Sequence, residues 1–356
     1  MSMPVYCARM PVSSSPTSPP HKSDGCAHAI RADLLSGFFP FLQRQLLPLG
    51  LLTVAAVGML FPEPGRYINS LAAPKYMAVS IIFICSGLLL RTDEIYAALS
   101  AWKASLFGTV SILLLTPLIG VFLALRVPMD PNLQLGLALF CCMPTTLSSG
   151  IALTTQARGN VALALLLTVV TNTIGIFTIP FVLAMLLSEV GQVELSAAGL
   201  LVKLCFAMLL PLAIGRYFSR FIKTWLTANR KTVTMISNLA LISIPWMKFS
   251  QSSNELFQIA LPSLGILIAA GLLIHILFLL LNDGASRLLK LQREARKAVV
   301  LLASQKTLPV AVTVLELIPE QVLSADTKGL VIIPCITFHF GQIFLDALLA
   351  TRWSHR

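Results

Sequence analysis

The chain has 356 residues, 56% of them hydrophobic and 12% charged, with a formal net charge of +11 and a mean hydropathy of +0.83. A soluble domain has no way to hide that much apolar surface, and the long charge-free runs assign an all-α polytopic membrane protein. The basic residues cluster between the apolar runs, where they set topology, so they argue for membrane lipid around the chain and for no nucleic-acid partner.

Residues 1–36 differ in kind. They are rich in Pro and Ser (PVSSSPTSPP) and carry Arg9, Lys22 and Arg31 against Asp24 and Asp33. With no apolar face to pack, this leader is expected to be disordered. Its Ser content and few acids fit a transit peptide, and a plain cytosolic tail fits as well.

Ten spans follow, over 41–60, 74–91, 104–125, 133–156, 161–187, 196–219, 232–249, 259–281, 296–318 and 329–350. At about 1.5 Å per residue each is long enough for a hydrocarbon core of about 30 Å. Pro62-Glu63-Pro64-Gly65, Asp130-Pro131 and Asn282-Asp283-Gly284 read as turns between them. With both termini on the cytoplasmic or stromal side, nineteen Lys and Arg fall inside and six outside, as the positive-inside rule requires. The seven cysteines show no disulfide or metal spacing.

Two spans are interrupted. In the fourth, CCMPTTLSSGIALTT (Cys141–Thr155), Pro144 stands beside Thr145, Thr146, Ser148, Ser149 and Gly150. In the ninth, ASQKTLPV (Ala303–Val310), Pro309 stands beside Ser304, Gln305, Lys306 and Thr307. Proline removes a backbone donor and clashes with the preceding turn, so each site reads either as a kinked span or as two half-helices meeting at mid-membrane. Opened backbone is tolerated there only where it is buried in protein or lines a wet cavity, which is how secondary transporters build a site.

The breaks recur at one offset. Pro309 follows Pro144 by 165 positions, and LLPLGL (Leu46–Leu51) returns as LLPLAI (Leu209–Ile214), placing Pro211 163 positions after Pro48. Duplicated breaks in two halves point to a transport site. Five spans per half, an odd number, make the second half inverted relative to the first.

Lys306 lies about ten residues into its span, roughly 15 Å deep, beyond the reach of snorkelling. Intramembrane charges are costly and mark function. Either Lys306 pairs with carbonyls exposed at the break, or it stands where a cation would and meets an anionic substrate. Thr171, Asn172 and Thr173 extend a polar stripe in the fifth span, and His339 and Gln342, three apart, mirror it in the tenth. His275, alone in an apolar run, reads as structural; Asp346 and Glu316, near helix ends, read as headgroup or backbone contacts. Arg158 reads as an electrostatic anchor of the inside loop. No nucleophile–base pair, aspartate pair or H-E-x-x-H helix is present, so the chain reads as no enzyme and offers no catalytic residue.

The run FCCMPTTLSSGIALTTQARGNVALALLLTVVTNTIGIFTIP (Phe140–Pro180), with VLLASQKTLPV (Val300–Val310) and HFGQIFLDALL (His339–Leu349), resembles the bile acid:sodium symporter family, and is most similar to its plant plastid sodium/metabolite cotransporters. The resemblance covers Phe39 to Trp353. It implies ten transmembrane helices in two inverted five-helix repeats, over 37–190 and 191–356. A core of helices 3–5 and 8–10 would rock against a panel of helices 1, 2, 6 and 7, and the broken fourth and ninth helices would cross.

Carried over by position, the sodium ligands are Ser148, Ser149, Thr168 and Gln305. The wider candidate set for substrate or ion adds Thr145, Thr146, Asn172, Lys306, Thr307, His339 and Gln342. Three positions depart from the family: Gly150 stands where many members have Asn, Ala164 where a serine ligand would be, and Leu301 where the family has Glu. A hard cation wants several oxygens, normally with a carboxylate. The expectation is a secondary active transporter of a small organic anion with sodium as coupling ion and no resident cofactor, in the chloroplast envelope. The alternative is a non-transporting regulator of calcium homeostasis on the same fold.

Overall fold

The computed structural model describes residues 46–90, 101–146, 149–189, 196–257 and 259–354. The leader over 1–36, the start of the first expected span, Arg91 and Ser148 lie outside the described residues.

Every described element is helical. In chain order they are α1 (Leu46–Leu60), α2 (Pro62–Ser70), α3 (Ala72–Leu89), α4 (Trp102–Ala124), α5 (Pro131–Cys141), α6 (Ser149–Gln156) and α7 (Val161–Glu189). There follow α8 (Ala197–Ser219), α9 (Lys223–Ala228), α10 (Arg230–Gln251), α11 (Ser253–Phe257), α12 (Leu261–Leu288), α13 (Arg293–Ser304), α14 (Leu308–Leu317) and α15 (Ala325–Ser354).

Six of the expected ten spans are long and apolar enough to cross a bilayer on their own among the described residues: α4, α7, α8, α12, the α13–α14 pair and α15. The other four fall short for separate reasons. The described part of α1 has 15 residues. Helix α3 meets the test only together with α2. The fourth expected span is divided between α5 and α6, and α10 carries Arg230, Lys231 and Lys248. The chain is an integral membrane protein by these apolar helices.

Two expected turns are helical instead. Pro62-Glu63-Pro64-Gly65 opens α2, because proline suits a first turn whose N–H groups have no acceptor in the helix. Asn282-Asp283-Gly284 lies inside α12. Asn282 donates to Phe278 O at 2.8 Å and accepts from Ser111 Oγ at 2.6 Å, while Asp283 pairs with Arg287 one turn on. Side-chain partners hold that triplet in a helix it would otherwise end. Asp130-Pro131 behaves as expected: Asp130 caps α5 by accepting from Asn132 N, and Pro131 takes the first helical position.

Both α4 and α8 contain a π-turn, Ser111–Leu115 and Cys205–Leu209, each just before a proline, Pro117 and Pro211. A wider turn re-aims the carbonyls that the ring would otherwise strike. The pair α13–α14 is the central span, with 94% of its apolar window buried. Helix α5 lies along α15, and α3 packs between α8 and α10. At the α3–α8 crossing a β-carbon on Gly87 would meet the Leu212 carbonyl, and one on Gly215 would meet the Ile84 carbonyl.

Candidate functional site

The half-helix pairs α5/α6 and α13/α14 meet at their breaks. Thr307 N, at the second break, donates to Pro144 O at the first (2.9 Å). Thr145 Oγ1 donates to Leu302 O, the last turn of α13. Thr146 Oγ1 donates to Gln305 Oε1 at 2.7 Å and accepts from Gly150 N at 3.0 Å. Backbone groups at each break, Pro144 O, Leu302 O and Thr307 N, are thus partnered across the crossing, and the residues involved are buried. A β-carbon at Gly150 would stand 2.8 Å from both Thr146 Oγ1 and Leu302 Cδ1 and 3.1 Å from Gln305 Oε1. That crowding leaves no room for a side chain at Gly150: the Thr146–Gln305 bond fills the place.

Each break is also braced by an amide from the following helix. From α7, Asn172 Nδ2 donates to Thr145 O at 3.0 Å and to Thr168 O at 2.8 Å, leaving Asn172 Oδ1 buried without a hydrogen-bond partner among the described residues. Thr168 Oγ1 donates to Ala164 O at 2.8 Å. From α15, Gln342 Oε1 accepts from Lys306 N at 2.8 Å and its Nε2 donates to Lys306 O at 2.7 Å. The same Nε2 lies 3.0 Å from His339 Nδ1. The Lys306 peptide fixes the Gln342 amide, so His339 Nδ1 is an acceptor and the neutral ring carries its proton on Nε2. That Nε2 is buried and has no hydrogen-bond partner among the described residues; neither has Thr307 Oγ1.

Lys306 is fully buried. Its Nζ donates to Thr116 Oγ1 at 2.9 Å and to Ile112 O at 3.2 Å, with the Phe278 ring 5.9 Å away. The carbonyls it was expected to meet are those of its own break; the one it bonds belongs to the π-turn of α4. There Ser111 O accepts from Thr116 N, so the next carbonyl, Ile112 O, would need a donor from Pro117, which has none. No carboxylate among the described residues is in ion-pair contact with this ammonium.

Asp346 corrects the reading from sequence, which placed it at a helix end against headgroup or backbone. It is fully buried. Its Oδ2 accepts from Gln305 Nε2 at 2.6 Å, and Oδ1 lies 2.9 Å from His275 Nε2. His275 Nδ1 in turn faces Ser304 O at 3.2 Å. Both His275 ring nitrogens thus face oxygen atoms, one of Ser304 and one of Asp346. Glu316, also expected at the headgroups, is likewise buried, 2.7 Å from Lys248 Nζ. Partners three-dimensionally near but 71 and 68 positions away in the chain gave the sequence no sign of either arrangement.

A cavity of about 420 Å³ lies against the crossing. Thr146, Ser149, Thr168, Thr307 and His339 line it from one side, and Ser86 of α3 with Thr234, Ser237 and Asn238 of α10 from the other. Leu165, Val169, Leu241 and Ile343 give it aliphatic walls, and Arg230 stands at its exposed end. Of the residues expected from sequence, Thr145, Asn172, Gln305, Lys306 and Gln342 do not line it; they form the hydrogen-bonded layer behind. The stripe on α10 was missed, although its spacing of three and four within an apolar span is a legible signal.

The profile of SBF-like CPA transporters matches residues 45–355. The chain is 34% identical over 342 residues to the Oryza sativa subsp. japonica protein named "Probable sodium/metabolite cotransporter BASS4, chloroplastic", covering 92% of this chain and 80% of that one. It is 36% identical over 326 residues to the Arabidopsis thaliana protein of the same name, covering 89% and 74%. With "Sodium/bile acid cotransporter 7" of Xenopus tropicalis it shares 28% over 322 residues, covering 88% and 92%. A match of that extent settles membership: the chain belongs to the SBF-like CPA transporter family, a family of membrane transporters related to the bile acid:sodium symporters.

Proposed function

We propose that this transporter carries a small organic anion through the cavity at the helix crossing, with sodium as the coupling ion. The observation that carries the reading is a pair of buried polar groups, His339 Nε2 and Thr307 Oγ1, which belong to residues lining the cavity and have no hydrogen-bond partner among the described residues. Unpaired buried donors cost about 1–3 kcal/mol each, a cost that an acceptor oxygen on a substrate removes. Arg230 at the exposed end, the one Lys or Arg among the described lining residues, favours an anion.

For sodium, the support is the oxygen set at the first break: Ser149 and Thr168 hydroxyls, with Asn172 Oδ1 buried and unpartnered. At the second break Gln305 Oε1 is engaged by Thr146, and Leu301 stands in place of the family's Glu. We therefore assign one sodium per cycle rather than two. The relatives' names carry sodium, metabolites and bile acids; the plant names carry the chloroplast, and we place this chain in the chloroplast envelope on that ground.

The rocking bodies of this reading are two inverted repeats of five spans. The panel comprises α1–α3, α8 and α10, and the core comprises α4–α7 and α12–α15. Mirrored breaks at Pro144 and Pro309, amide braces from α7 and α15, and the packing of α3 between α8 and α10 support it. The test is uptake by the purified full chain in proteoliposomes, using labelled mono- and dicarboxylates with and without an inward sodium gradient. Sodium-dependent accumulation of at least one carboxylate is expected. Accumulation of none, under any sodium gradient, ends the reading.

A further inference from the structure

At the end of the molecule away from the cavity, four charged side chains from four helices converge. Glu316 of α14 lies 2.7 Å from Lys248 Nζ of α10 and 3.4 Å from Lys75 Nζ of α3. Lys328 of α15 donates to Ile318 O at 2.6 Å and to Glu316 O at 3.4 Å. The side chains of Glu316, Lys248 and Lys75 are 5%, 2% and 12% exposed. Gln251 and Ser252, at the end of α10, add bonds of 3.0 and 2.7 Å to Asp326 at the start of α15.

The spacing of this cluster from the cavity is uniform. Counting along each helix, Lys248 follows Asn238 by ten residues, Lys328 precedes His339 by eleven, Glu316 follows Thr307 by nine, and Lys75 precedes Ser86 by eleven. At the helical rise these are all about 14–17 Å. One layer of charge therefore lies beneath one cavity, across every helix that forms both.

We infer that Glu316, with Lys248 and Lys75, is the latch that holds the far side of the transporter shut while the cavity faces its open side. The inference rests on the two-body reading above, in which Glu316 belongs to the core and both lysines to the panel. A buried ion pair adds little net stability, yet breaking it strands a charge, so the closed arrangement is one of two discrete states. Separation does not leave Glu316 alone. Lys328 sits on the same body, bonded to the Ile318 and Glu316 carbonyls, within reach of the carboxylate once the panel lysines withdraw. Lys248 keeps Asn69 Oδ1 of α2, 3.4 Å away on its own body. Each half retains a partner, which lowers the cost of opening.

The experiment is thiol accessibility in the full chain in proteoliposomes. Thr313 lies buried on α14 between Glu316 and the crossing, and Thr313→Cys is labelled with a membrane-impermeant methanethiosulfonate applied from the Glu316 side. The unaltered chain provides the background from its native cysteines. Glu316→Gln and Lys248→Gln are each expected to raise the labelling rate about tenfold or more, and the double variant no further, because both remove the same contact. Lys328→Gln, which removes the carboxylate's partner in the opened arrangement and none of the contacts between the bodies, is expected to lower the rate. Unchanged rates in Glu316→Gln and Lys248→Gln, additive effects, or an equal rise in Lys328→Gln would overturn the latch. Should Glu316→Gln fail to purify as a monodisperse protein, Lys75→Gln decides, since that side chain is the most exposed of the three. Labelling needs no substrate, so absent carboxylate uptake counts against the transport reading and unaltered labelling against the latch.

Discussion

The ammonium of Lys306 lies 3.2 Å from the carbonyl of Ile112, the acceptor that Pro117 leaves without a donor in the neighbouring helix. A charge inserted at one break thus repairs the backbone of another span. The arrangement ties α4 to the α13–α14 break without a carboxylate, by a charge-assisted bond to a carbonyl and one to a hydroxyl.

Lys306→Met removes that donor while keeping the length of the side chain. The Ile112 carbonyl loses its donor in the interior, while the Thr116 hydroxyl keeps its bond to Ser111 O at 2.8 Å, and stability falls by about 1–3 kcal/mol. A lower thermal midpoint in detergent reads the loss. The apparent KM for the transported carboxylate changes less than about threefold, because the ammonium does not line the cavity.

Asp346 and His275 act as a unit. Asp346→Asn leaves His275 facing an amide and costs about 3–5 kcal/mol, the range for breaking a buried pair. In a double-mutant cycle with His275→Gln the two effects are non-additive by more than about 1 kcal/mol. Unfolding followed by tryptophan fluorescence measures all four corners; additive losses would show that the two side chains do not act as a unit.

Thr146→Val takes away both the donor to Gln305 and the acceptor for Gly150 N. The crossing loosens by about 1–3 kcal/mol, and uptake falls with it. Thr146→Ser keeps the hydroxyl and restores uptake, which separates a hydrogen-bonding role from one of volume.

His339→Phe fills the same space without a donor. The apparent KM for the carboxylate rises about tenfold with maximal uptake rate held, as expected for the loss of one bond of about 1.4 kcal/mol. Half-saturation by sodium does not move, since the ring supplies none of the oxygens assigned to the ion.

Asn172→Leu produces the opposite division. It removes the unpartnered Oδ1, so half-saturation by sodium rises about tenfold or more while the carboxylate KM at saturating sodium stays within about threefold. A Hill coefficient for sodium near one in the unaltered chain accompanies this result; a value near two would contradict the single site.

Much of this arrangement was legible in the sequence, and the part that was not has a physical reason. The breaks at Pro144 and Pro309 were visible because proline constrains its own backbone, and hydroxyls beside it betray where polar groups gather. Asn172, Gln342 and His339 were visible by their spacing on one face. Asp346 was misplaced because an aspartate eight residues from a helix end looks the same whether it faces lipid or a histidine on another helix. Asn282-Asp283-Gly284 was read as a turn because Ser111, its distant partner, is what keeps Asn282 in the helix. Lys306 was singled out correctly as buried, yet its acceptor depended on a π-turn that no local pattern announces.

The crossing of α3 and α8 places Gly87 against the Leu212 carbonyl and Gly215 against the Ile84 carbonyl. No side chain stands between these two helices there, so no rotamer change is available to absorb a displacement. A push on one is delivered undamped to the other, and the hinges of any transport cycle must be sought elsewhere along the chain.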